Sequence, residues 1–181
     1  MRFKRKKTVR HMGSGWIHAM RSTIESSWRE EMRDNPLLSK QSSNELQISK
    51  QIFYSGAANT VRLFREGDCR PSGSPEASAL ISLVQEHRSV TAYNHPTTGP
   101  TRDAWIRYRD TRLKDLNPLM TVEAEALFYS GAHASFGSLA GTIKATQYDS
   151  EQEQEAALRA KMKTLCDELF VLYPTKSRNI Q

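Results

Sequence analysis

The pentapeptide Phe53-Tyr54-Ser55-Gly56-Ala57 returns, residue for residue, as Phe128-Tyr129-Ser130-Gly131-Ala132. Its surroundings return with it. Trp28 and then Asn35-Pro36-Leu37-Leu38 precede the first copy; Trp105 and then Asn117-Pro118-Leu119-Met120 precede the second. Self-similarity of this kind constrains the architecture before any single residue is interpreted, because both copies must build the same supersecondary unit.

The apolar spacing inside each copy predicts helices. The first spans 15–34, with Ile17, Met20, Ile24, Trp28 and Met32 on one face and Glu25–Arg29 as a supporting i,i+4 pair. Asn35-Pro36 interrupts it. The second spans 42–66: Ser42 and Glu45 form a capping box, and Leu46, Phe53, Ala57, Val61 and Phe64 line its face. Ser74-Pro75 starts a third helix that reaches 91 and buries Leu80, Ile81 and Val84. The turn formers Asn94-His95-Pro96-Thr97-Thr98-Gly99-Pro100 then break the chain. A fourth helix over 102–116 carries Trp105, Ile106, Tyr108 and Leu113, and Asn117-Pro118 interrupts it. A fifth over 121–146 carries Phe128, Ala132, Phe136, Leu139 and Ile143. The sixth opens with the capping box Ser150/Glu153, keeps a four-three seam through Leu158, Met162, Leu165, Leu169 and Leu172, and stops at Pro174.

Strand signals are scarce, so the expected fold is all-α: two pseudo-repeated three-helix units packed into one helical bundle. The predicted divisions are a basic N-terminal arm (1–14), a first repeat (15–93), a linker (94–100), a second repeat (101–174) and a C-terminal tail (175–181). A three-helix unit this small is marginal alone, which favours docking of the halves. The motif reads first as packing, an aromatic anchor followed by a small contact surface. Glycine inside a helix costs about 1 kcal/mol relative to alanine, so Gly56 and Gly131 need a compensating close approach. Gly137 and Gly141, in GxxxG spacing among Ser135 and Ser138, suggest a tight crossing by the fifth helix. The functional reading instead places Tyr54 and Tyr129, with Trp105 and Tyr108, in a groove that binds a partner.

A tryptophan helix, an Asn-Pro break, a stretch leading into FYSGA and a closing leucine-rich helix resemble a type of short helical protein found in tailed phages and prophages. The likeness is best over 105–170 and weaker over 28–90. It implies a mobile-element accessory protein whose partner is a host or phage protein, inhibition of host machinery such as a defence system being one form of that binding. It carries no catalytic residues.

The residues themselves suggest no enzyme: there is no GxSxG, P-loop or HExxH, and the five histidines do not cluster with cysteine or carboxylates at ligand spacing. No metal, cofactor or catalytic residue is expected; Tyr129 and His133 at i,i+4 read as packing or surface. Charge is more informative. The formal +6 sits in the arm, where Arg2, Lys4, Arg5, Lys6, Lys7 and Arg10 occur without an acid, while 20 basic residues balance 20 acids in the rest. Such arms hold nucleic-acid phosphates without sequence preference. The fourth helix adds Arg102, Arg107, Arg109, Arg112 and Lys114 beside Trp105 and Tyr108, a combination able to hold DNA or RNA backbone and stack bases. No apolar run is long enough to span a bilayer, and the N-terminal stretch lacks the apolar core of a secretory signal. Cys69 and Cys166, far apart in the chain and without a ligand motif, suit a reducing compartment. A cytoplasmic, non-enzymatic binding protein is the expectation, with a nucleic-acid-binding subunit as the alternative.

Overall fold

The computed structural model describes residues 23–68, 75–89, 97–143 and 150–172. Among these, six α-helices and no strand are present: α1 (Ile24–Asp34), α2 (Ser43–Asp68), α3 (Pro75–Ser89), α4 (Pro100–Arg112), α5 (Pro118–Ile143) and α6 (Glu151–Leu172), with a short 3₁₀ turn at Leu38–Lys40. The chain is thus an all-α helical bundle, as expected. The arm, including Arg2 to Arg10, and the tail lie outside the described residues, as do Ile17, Met20, Cys69 and Pro174.

Local chemistry sets the helix starts. Ser42 Oγ accepts from Glu45 N at 3.4 Å while Ser42 N donates to Glu45 Oε2 at 2.8 Å, so the expected capping box opens α2. Pro75 opens α3, and Glu153 N donates to Ser150 Oγ at the start of α6. Two breaks read from the sequence are helix starts instead. Pro100 is the first residue of α4, and Pro118 opens α5, with Asn117 Oδ1 accepting from Met120 N at 2.9 Å. Proline suits a first turn, where its missing N–H has no helical partner to lose. The fourth helix therefore ends at Arg112, before Asn117.

The core forms where α2 crosses α5. A Cβ placed on Gly56 would overlap the Phe128 carbonyl oxygen and lie 3.1 Å from Ala132 N. A Cβ on Gly131 would overlap the Phe53 carbonyl oxygen and lie 3.2 Å from Phe53 Cα. The contact is reciprocal: each motif glycine receives the backbone of the other motif's phenylalanine. This close approach offsets the helical cost of both glycines. Gly137, by contrast, has no heavy atom within 4 Å of where its Cβ would stand, so the tight crossing belongs to Gly56 and Gly131.

Around the crossing, Trp28 meets Phe53 with ring centres 5.4 Å apart, and Trp105 meets Phe128 at 5.6 Å. The starts of the tryptophan helices are capped from far along the chain. Glu168 of α6 accepts from Ile24 N and Glu25 N at 3.1 and 2.6 Å; Glu86 of α3 accepts from Thr101 N and Arg102 N at 2.8 and 3.0 Å. A carboxylate at a helix N-terminus satisfies orphan N–H groups and meets the positive end of the dipole.

The α3 face differs from the sequence expectation. Leu83, Glu86 and His87 are buried and Val84 is half-buried, whereas Ile81 is 60% exposed. The buried side is set by Leu83 and the capping carboxylate, which turns Ile81 outward; the Leu80 side chain lies outside the described set.

Candidate functional site

On α2, Ser55, Ala58, Asn59 and Arg62 recur at three-four spacing and share one face. Ser55 and Ala58 are small, so the neighbouring helices stand as walls. On one side α4 contributes Ala104, Arg107, Tyr108 and Thr111 around a hollow of 610 Å³; on the other, α6 contributes Cys166, Asp167, Leu169 and Phe170 around one of 630 Å³. Both hollows include Ser55, Ala58 and Arg62, so they form one open groove across α2. Its floor is apolar through Val61, Leu169 and Phe128, and its rim carries Arg62, Arg65 and Arg107. Arg62 is braced by Glu66 Oε2 at 2.7 Å and Asn59 Oδ1 at 3.2 Å. Phe170 is 61% exposed at the α6 lip.

A second feature is a pair of polar corners. At one, Glu25 Oε2 accepts from Tyr54 Oη at 2.5 Å and pairs with Lys50 Nζ at 3.0 Å. Burial pushes the Glu25 carboxyl upward, but Tyr54, Lys50 and Arg29 together hold it below its ordinary value. At the other, Arg102 pairs with Glu125 beside Tyr129. Burial, then the Glu86 charge, raises the Tyr129 hydroxyl above the usual phenol range. Glu86 itself is raised by burial, against the opposing pull of the Thr101 and Arg102 N–H groups.

A third feature is a histidine pair. His87 is buried, its Nδ1 lies 3.4 Å from His133 Nδ1, and its ring stacks on Phe136 at 4.4 Å and 8°. Burial and the neighbouring His133 lower the His87 imidazole to about 3, and burial lowers His133 too. Both rings are neutral at pH 7. No group of three or more His, Cys, Asp or Glu side chains arranged to hold a metal occurs among the described residues.

The candidate residues separate clearly. Tyr54, Tyr129 and Trp105 lie in the core, 1%, 2% and 0% exposed, which closes them to a docking protein. Tyr108 is half-buried and lines the groove. Of the cations predicted on the fourth helix, Arg102 is held by Glu125 and Arg109 by Asp110, Arg107 faces the groove, Arg112 is exposed at the end of α4, and Lys114 is exposed in the turn after it. Sequence reasoning missed Arg62, Arg65 and Phe170, although the small residues Ser55 and Ala58, two turns and one turn before Arg62, signal an uncovered face. No helix among the described residues is long and apolar enough to cross a membrane. No family model, no curated protein and no solved structure matches this chain.

Proposed function

We propose that the chain is two copies of one three-helix unit, closed on each other at the glycine crossing, and that it acts without catalysis by holding a protein partner in the groove across α2. The observation that carries this reading is the groove itself: small residues on the α2 face, an apolar floor of Val61, Leu169 and Phe128, and a rim of three arginines with Asp167. That surface fits an amphipathic helix with an apolar stripe and acidic flanks. Exposed Phe170 and the half-buried Tyr108 supply the aromatic anchors such an interface needs. The phage-type resemblance supports a host or phage protein as the partner, and the free thiol of Cys166 suits the reducing interior of a cell.

The test is capture from a bacterial lysate with the unaltered chain and with an Arg62→Glu/Arg107→Glu variant of equal thermal stability. A protein retained by the first and lost by the second supports the groove; one retained equally by both removes it. The second reading, nucleic-acid binding, draws on exposed Arg112 and Lys114 beside Arg107 and on the arm sequence. It predicts binding to duplex DNA or single-stranded RNA that falls steeply between about 50 and 200 mM salt. No binding at low salt removes it.

A further inference from the structure

The two polar corners occupy corresponding places, yet their charges are exchanged. Lys50 and Glu125 each stand three positions before the motif phenylalanine of their copy. Glu25 and Arg102 each stand three positions before the tryptophan. The first corner is an acid on the tryptophan helix facing a base on the motif helix; the second is a base facing an acid. The remaining contacts are alike: Trp28–Phe53 and Trp105–Phe128 have nearly the same ring spacing, and Glu168 and Glu86 cap the two tryptophan helices in the same way. One aromatic contact separates the helices, since Tyr108 of α4 lies 5.6 Å from Phe128 where α1 has Glu31; the charge exchange is the difference of opposite sign at the two corners.

We infer that the exchanged charges are a sorting code that keeps each tryptophan helix on its own motif helix, within the chain and between copies of it. This rests on the two-copy reading above. With α1 in the place of α4, Glu25 would face Glu125; with α4 in the place of α1, Arg102 would face Lys50. Both misplacements set like charges against each other where the side chains are only 19–33% exposed and solvent screens them weakly. A duplicated helical chain without such a code is open to exchange of α1 for α4, either internally or with a second copy.

The test uses the full chain, refolded from urea. Glu25→Arg with Lys50→Glu keeps an ion pair at its corner but gives both corners the same sign order. The expected result is a roughly tenfold rise in misassembled species, equal to about 1.4 kcal/mol of lost discrimination. It is read as added oligomers in light scattering, or as a second set of tryptophan indole N–H resonances for internal exchange. Arg102→Glu with Glu125→Lys does the same from the other corner. All four changes together restore opposite orders and return the unaltered distribution. If either double variant refolds to the distribution and single resonance set of the unaltered chain, the code is overturned. It is equally overturned if the fourfold variant stays mixed or does not fold. Double variants that fail to fold beside a folded fourfold variant support it. Capture of a partner by the α2 groove is read separately, so a failed code leaves the binding proposal standing.

Discussion

The two flanks of the α2–α5 crossing solve one geometric problem in opposite ways. On one, Ala58, Val61 and Leu169 leave a 630 Å³ hollow bordered by arginine. On the other flank stand His133, Phe136 and His87, whose rings lie against one another, His87 stacked on Phe136 at 4.4 Å and 5.5 Å from His133. The tryptophan helices differ in the same spirit: α1 has four acids against two arginines, α4 four arginines against two acids. Residues at the crossing match between the two FYSGA motifs, whereas residues on the flanking helices differ. The repeated pentapeptides therefore carry the packing at the crossing, and the accessible groove lies on the flank with small side chains rather than the one with rings.

Four tests break or sharpen this contrast. Gly56→Ala and Gly131→Ala carry the largest effect, more than about 4 kcal/mol each, because the added methyl overlaps backbone that cannot rotate away. Urea unfolding of both variants measures it; a large loss at one glycine only would show that the crossing is not reciprocal in energy. Next, Arg102→Ala removes the Arg102–Glu125 ion pair at a corner about one-fifth exposed and costs about 3 kcal/mol, at the low end for a buried pair. Glu25→Ala, at a corner about one-third exposed, costs less, and equal losses would erase that distinction between the corners.

The third concerns pH. The folded His87 imidazole lies near 3, below its unfolded value, so the unfolded chain binds more protons between about 6.5 and 3 and stability falls as pH is lowered through that window. From about pH 6.5 to 5 the loss from this group is about 2 kcal/mol. His87→Leu, which copies the residue at 169, is expected to flatten that part of the profile, and a difference curve that stays level refutes the assignment. The smallest effect is Gly137→Ala. Its Cβ meets open space, so stability rises by up to about 1 kcal/mol, seen as a higher thermal midpoint.

Much of the fold is legible in the sequence because its signals are local. Ser42 with Glu45, Pro75, and the apolar stripes of α2 and α6 each act within a few residues. The recurrence of glycine inside two predicted helices announces a close approach, though not that each glycine meets the other copy's phenylalanine. The α3 face escapes such a reading because its buried side includes Glu86 and His87, polar residues that hide the stripe from a hydrophobicity count. The corner residues are visible at matched positions, but their pairing requires knowing which face of α1 meets α2. The buried tyrosines illustrate the same limit: Tyr54 and Tyr129 carry hydroxyls suited to a surface, and their inward placement depends on Glu25 and Arg102 from another helix. The groove leaves only a weak trace, since an uncovered helix face is defined by neighbours that do not arrive.

The cap on α1 bears on how the chain comes off the ribosome. Glu168 lies 144 residues beyond Ile24, whose N–H it accepts. At the usual rate of roughly 5–20 residues per second, about seven to thirty seconds separate their synthesis. Throughout that interval the start of α1 lacks its carboxylate, and for much of it the Trp28–Phe53 pair lacks the second motif helix. The surface around α1 and α2 is therefore unfinished during translation until α6 emerges.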